Sequence, residues 1–241
     1  MIYIRSALFN VFFYAAMVLY MLIMLLTIWL PRKKRVRFLQ SFGHTTDKLL
    51  RVFTGINTEY RGGENMPEGP VIVACKHQSV WETFTVLTIV DDPAIILKRE
   101  LAWIPVFGWL TILYKMINVQ RGKKGAAIKS LVRGAKEVVK DGRQVIIFPE
   151  GTRRAPGAEP IYKAGLPALY SGLNVPCVPI ALNSGVYWPR RKFLKYPGTI
   201  VMEICEPIAP GLPRDEFNAE VQRRIEDASN RLLDEAGWSG S

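Results

Sequence analysis

Apolar and polar positions alternate on several different periods along this chain, and the longest apolar run comes first. Residues 7–30 are apolar almost without a break. Asn10 is the one strongly polar residue there, and Tyr14, Tyr20 and Trp29 are of the type that sits at interfaces. Twenty-four residues at ~1.5 Å each reach about 36 Å, enough to cross a ~30 Å hydrocarbon layer with some tilt. A signal peptide has a shorter apolar region that ends in small residues. This run instead ends in Trp29-Leu30-Pro31 and continues into Arg32-Lys33-Lys34-Arg35, which predicts a retained membrane helix or a deep interfacial hairpin. Arg5 alone precedes it, whereas Arg32, Lys33, Lys34, Arg35 and Arg37 follow. That bias places the rest of the chain on the cytoplasmic face, against anionic lipid.

Beyond the basic run, residues 36–56 carry Phe38, Leu39, Phe42, Leu49, Leu50 and Phe53 at helical spacing, either along the bilayer surface or over a sheet. Short β-branched runs predict strands at 56–60, 71–74, 94–97, 117–119, 144–148, 175–182 and 199–204. Helical periodicity predicts helices at 80–90 and 122–141, and at 215–235 with Phe217, Val221, Ile225, Ala228 and Leu232 on one side. Alternating strands and helices define an α/β fold with a mostly parallel or mixed central sheet flanked by helices and an N-terminal membrane-inserted helical segment. We expect two parts: a membrane helix with a basic interfacial helix over 1–55, and a catalytic domain over 56–241.

Composition changes this picture little. A formal net charge of +11 over 241 residues points to an anionic partner: nucleic acid, a lipid surface or a phosphorylated substrate. Much of the excess follows the apolar run, so the membrane accounts for it without nucleic acid. Cys75, Cys177 and Cys205 are scattered with no C-x-x-C, and His44 and His77 are the only histidines, so no zinc set is expected. The odd, widely spaced thiols suit a reducing compartment. These residues call for no cofactor.

Candidate chemistry lies where an apolar strand gives way to helical character, in Val71-Ile72-Val73-Ala74-Cys75-Lys76-His77-Gln78-Ser79-Val80-Trp81-Glu82. Ser79 with Glu82 three residues on has the form of a capping box, which puts His77 on the strand-to-helix turn. Along one continuous helix His77 and Glu82 would point about 140° apart, but across a turn Glu82 can fold back onto the imidazole. A carboxylate that fixes the tautomer and stabilises the imidazolium is the usual arrangement of a general base; the alternative is a capped helix beside a structural histidine. Cys75 stands on the same strand face as His77. It reads as a buried structural thiol, the alternative being a Cys–His nucleophile of a ping-pong enzyme with a covalent intermediate.

Further blocks follow in order: Lys98-Arg99-Glu100-Leu101 with Pro105, Gly108 and Arg121; Phe148-Pro149-Glu150-Gly151-Thr152-Arg153; and Val178-Pro179-Ile180. With the His77–Glu82 block they make the chain resemble the 1-acylglycerol-3-phosphate acyltransferase family of phospholipid synthesis, over about residues 71–182. The resemblance implies acyl transfer from acyl-CoA or acyl carrier protein to a lysophospholipid, giving phosphatidic acid at the membrane. His77 and Glu82 become the catalytic pair. Lys98, Arg121, Glu150, Gly151, Thr152 and Arg153 become the substrate-binding set, Arg153 as the main phosphate partner because its planar fork suits phosphate. Beside a phosphate Glu150 would repel, so it is expected to organise Arg153 or the loop, or to contact an acceptor hydroxyl. Gly151 and Thr152 are expected to shape the turn. Backbone amides at the start of the helix after His77 are candidate oxyanion donors.

Two departures from the family pattern stand out: Glu82 replaces the usual aspartate, and Lys115 stands roughly where a glycine is common. The aromatic stretch 103–109 reads as core, or else as an interfacial ledge for acyl chains. Arg190, Arg191, Lys192 and Lys195 near Tyr187, Trp188 and Phe193 form a basic patch facing the membrane, an acyl carrier or solvent. A lyso-aminolipid acceptor, and a non-catalytic protein that binds anionic lipid, are the competing functions.

Overall fold

A computed structural model of the chain describes residues 1–119 and 124–240. Its centre is a seven-stranded sheet in the order β1-β7-β6-β2-β5-β3-β4. The strands are β1 (Ile56–Arg61), β2 (Ile72–Cys75), β3 (Pro93–Lys98), β4 (Ile117–Val119), β5 (Gln144–Ile147), β6 (Cys177–Leu182) and β7 (Gly198–Ile204). All neighbours pair in parallel except β6 and β7, which are antiparallel, so the sheet is mixed. β2, β5 and β6 are buried along their whole length, as expected of strands covered on both faces.

Strand parity decides which helices each residue meets. Val73 and Cys75 face one layer, while Ile72 and Ala74 face the other. On the first side lie α1 (Ile2–Leu26), α2 (Arg32–Leu49) and α3 (Trp81–Thr85), packed through Phe9, Phe13, Phe42 and Trp81. The second side carries α5 (Lys124–Lys140), α6 (Gly165–Leu173) and α8 (Arg214–Glu235), packed through Leu131, Ala135, Leu169, Phe217, Val221 and Ile225. The short helices α4 (Phe107–Leu113) and α7 (Ser184–Tyr187) are the other α-helices among the described residues.

Helix α1 begins earlier than its apolar run and passes into a tighter turn over Thr27–Trp29, with Pro31 ending the segment. A stripe of Ser6, Phe9, Phe13 and Met24 is buried. Phe9 and Phe13 meet the Trp188 ring edge-on at 5.0 and 5.2 Å. The rest of its surface stays apolar and exposed, including Leu8, Val11, Phe12, Val18, Leu19 and Leu22. Ile2–Trp29 is long and apolar enough to cross a membrane.

Helix α2 covers the sheet with one face, where Val36 and Phe42 are buried and Phe42 packs into the core. The basic run that opens α2 is not wholly a lipid-facing surface. The Arg32 guanidinium donates to both carboxylate oxygens of Asp92, at 2.6 and 2.7 Å, and Arg143 Nε reaches the same carboxylate at 3.0 Å. Arg35 lies over the Tyr114 ring, whereas Lys33, Lys34 and Arg37 are exposed.

The helix expected over 80–90 is α3 followed by a tighter turn at Val86–Ile89. Thr85, Val86, Thr88 and Ile89 are β-branched and crowd an α-helical backbone. Lys115 adopts a left-handed φ of 49°, the conformation that favours glycine at that position. The stretch expected as core, 103–109, is largely surface: Trp103 is 76% and Trp109 59% exposed. A proline and a glycine break the stretch, so it cannot present one continuous apolar face to the sheet.

Candidate active site

Parallel strands collect their C-terminal ends on one edge, where open α/β sheets expose chemistry. His77 follows β2, Lys98 ends β3 and the Phe148–Arg153 segment follows β5. His77, Lys98, Gly151, Thr152 and Arg153 all line one cleft of ≈ 460 Å³. Three further cations share it: Lys163, Arg190 and Arg191. Arg190 and Arg191 therefore border this cleft, and Arg190 Nη1 donates to the Arg153 carbonyl at 2.8 Å. Lys195 is not part of a surface patch. Its ammonium is buried against the Phe9 and Trp188 rings and donates to the carbonyls of Lys192 and Phe193, and burial pulls its pKa down to about 8. Arg121 lies outside the described residues.

His77 and Glu82 meet at 2.9 Å, between Nδ1 and Oε1. The carboxylate is fully buried, and four donors converge on it: the amides of Gln78 (2.7 Å) and Ser79 (2.6 Å), the Ser184 hydroxyl (2.8 Å) and the His77 ring. Glu82 thus reaches back to the Ser79 amide as a capping box requires. The reciprocal bond differs, because the Ser79 hydroxyl accepts from the Trp81 amide at 3.4 Å rather than from the third helical residue. Oxyanion donors are expected among the amides at the start of the helix after His77; the Gln78 and Ser79 amides, which lead into that helix, are already occupied by Glu82. An ionised carboxylate only accepts, so Nδ1 carries the hydrogen and the lone pair of Nε2 is left to take a proton. The ring stacks on Phe148 with centroids 4.1 Å apart.

Glu150 points away from Arg153. Its carboxylate is 1% exposed and accepts from the Lys76 ammonium at 3.1 Å and from the His77 amide at 3.2 Å. Of the readings given for Glu150, organising the loop fits this geometry. Gly151 takes a positive φ of 62° in the turn that follows, and the Arg154 amide donates to the His77 carbonyl at 2.8 Å. Arg153 is half-buried; burial lowers the pKa of its guanidinium, with the Glu82 carboxylate acting in the opposite sense. Cys75 is fully buried, and burial, then the charges of Glu82 and Glu150, push its thiol well up. Such a thiol is a poor nucleophile.

Sequence reasoning missed Ser184, Lys163 and the partners of Lys76. Lys76 alone left a signal: a charge at the end of an otherwise apolar buried strand needs a partner.

Comparison with known proteins agrees with this geometry. Residues 57–183 match the acyltransferase family model. The chain is 42% identical over 176 residues to the 1-acyl-sn-glycerol-3-phosphate acyltransferase of Pseudomonas aeruginosa, covering 73% of this chain and 68% of that protein. It is 30% identical over 176 residues to the protein of the same description from Cocos nucifera, covering 72% of this chain and 57% of that one. The crystal structure of the 1-acyl-sn-glycerophosphate acyltransferase PlsC from Thermotoga maritima shares the fold, with a TM-score of 0.77 at 24% identity over 96% of this chain and 98% of that one. A sheet that sets a histidine, braced by a buried carboxylate, beside several cations lining one cleft is a frame suited to acyl transfer. The chain belongs to that family of enzymes, and within it to the 1-acylglycerol-3-phosphate acyltransferases that its motifs resemble.

Proposed function

We propose that this protein transfers an acyl group from an acyl thioester, on coenzyme A or acyl carrier protein, to the sn-2 hydroxyl of 1-acylglycerol 3-phosphate. His77 Nε2 takes the proton from that hydroxyl as its oxygen attacks the thioester carbonyl carbon. Glu82, through Nδ1, holds the ring and stabilises the imidazolium. A C–O bond forms, the tetrahedral oxyanion collapses, the C–S bond breaks, and the leaving thiolate takes the proton back from His77. With the Gln78 and Ser79 amides engaged by Glu82, the positive potential of the cleft stabilises the oxyanion. Arg153 and Lys98 bind the acceptor phosphate, and Arg121 joins them on the strength of the family resemblance. Residues 1–55 seat the protein in an anionic bilayer, on its cytoplasmic face, through the exposed apolar side of α1 and the basic residues after it.

What supports this reading most is the 2.9 Å contact of His77 with Glu82 at a cleft lined by Arg153, Lys98 and Lys163. The test is thiol release by detergent-solubilised protein given acyl-CoA or acyl carrier protein with several lyso-acceptors. The phosphomonoester acceptor should react fastest. Faster turnover of a lyso-aminolipid, or none of any acceptor, overturns the reading.

A further inference from the structure

Behind the catalytic turn, on the side away from the substrate cleft, lies a charged cluster with no part in the chemistry so far. Strand parity puts it there: Ala74 faces the α8 layer and Cys75 the other, so Lys76 returns to the α8 side while His77 looks into the cleft. The Lys76 side chain is 4% exposed. Its ammonium donates to Glu150 Oε1 at 3.1 Å and to both oxygens of Glu226, on α8, at 2.7 and 2.8 Å. The Tyr162 hydroxyl donates to Glu226 Oε1 at 2.9 Å. The other oxygen of Glu150 accepts the His77 amide. Neither Lys76 nor Glu226 lines the substrate cleft; both border a separate cavity of ≈ 680 Å³ against α8.

We infer that Lys76 and Glu226 are positioning residues for the reaction: held between two carboxylates, Lys76 keeps Glu150 on the His77 amide and ties the C-terminal helix to the catalytic turn. The inference rests on the function proposed above. Stability alone explains the cluster poorly, because the cost of desolvating buried charges offsets most of their attraction, and apolar side chains of similar size would hold α8 as well. An amide-bound carboxylate, by contrast, fixes the backbone of the residue whose ring must meet the substrate. The groups facing Glu150 are Lys76 just after β2, Glu226 from α8, the His77 amide, and the Tyr162 hydroxyl and Cys75 thiol nearby. Burial raises the Glu150 carboxyl, Lys76 and the His77 amide pull it down, and Glu226 raises it again. Removing Lys76 therefore lets Glu150 take up its proton at higher pH, whereas neutralising Glu226 acts in the opposite sense.

The test is kcat, the two KM values and the pH dependence of kcat for wild type, Lys76→Met, Lys76→Arg and Glu226→Gln, with thermal melts of each. Lys76→Met should lower kcat roughly ten- to hundredfold with both KM values little changed, and should move the acid limb of the profile to higher pH. Lys76→Arg should recover part of kcat, and Glu226→Gln should move the acid limb to lower pH. In a Glu150→Gln background, which has no carboxyl to titrate at that position, Lys76→Met should no longer move the limb. Unchanged kcat in Lys76→Met, an equal loss at every pH, or a limb shift that survives Glu150→Gln overturns the inference. Should Lys76→Met fail to fold, Glu226→Gln decides alone, and an unmoved limb there overturns it. Wild type without acyl transfer would instead defeat the functional reading itself.

Discussion

The front and back of the catalytic turn each press a buried carboxylate against His77, and the two are held in different ways. At the front, Glu82 is surrounded by two amides, a hydroxyl and the imidazole, and no lysine or arginine lies within ion-pair distance of it among the described residues. At the back, Glu150 sits on the Lys76 ammonium. Dipoles hold Glu82 in place, whereas Glu150 shares one ammonium with Glu226. Only Glu82 touches the imidazole itself, so it is the carboxylate placed to stabilise a proton arriving there. Glu150 is left to orient the backbone. The difference separates the residue that answers the chemistry from the residue that shapes it.

Breaking the front of the turn should cost the most. His77→Ala removes the base, and kcat should fall about 10²–10⁴-fold in a thiol-release assay, with an unchanged circular dichroism spectrum. Glu82→Gln leaves the ring without its charge partner and strands buried donors, so the loss should be severe, roughly 10²-fold; Glu82→Asp keeps the charge and should retain more activity than Glu82→Gln. Arg153→Ala should act on binding instead, raising the acceptor KM roughly tenfold with a smaller change in kcat. An acceptor KM unmoved by that change would mean that no phosphate sits at Arg153.

The smallest effect expected lies away from the turn, at Asp92. Burial raises its carboxyl, but Arg32 and Arg143 outweigh that and hold its pKa below the ordinary value. The stability this adds is fully present above about pH 4 and is lost as pH falls through the lower folded value. Thermal melts should show wild type above Asp92→Asn at neutral pH, with the gap closing in acid.

Period and turn chemistry made most of the sheet readable. Central strands show as short β-branched runs because they are buried on both faces, and α8 shows because Phe217, Val221, Ile225 and Leu232 keep one face. Helices α4, α6 and α7 escaped because they are short and carry glycine or proline, so tertiary packing rather than local periodicity forms them. At the site, the His77–Glu82 contact was legible because both ends lie within one local turn. The engagement of the Gln78 and Ser79 amides was not, since a sequence names donors without their acceptors. Glu226, 150 residues from Lys76 along the chain, left no local sign at all. Lys195 misled for a related reason: a lysine among arginines reads as surface until Phe9 and Trp188 close over it.

The ring itself offers the most direct measurement. His44 and His77 are the only histidines, so the imidazole ¹⁵N spectrum of the detergent-solubilised protein contains just two rings to assign. At the pH of maximal activity His77 should be neutral, with its hydrogen on Nδ1 and Nε2 bare, and Glu82→Gln should disturb that state. A hydrogen on Nε2 in the wild-type protein would leave no lone pair facing the substrate, and would contradict His77 as the base.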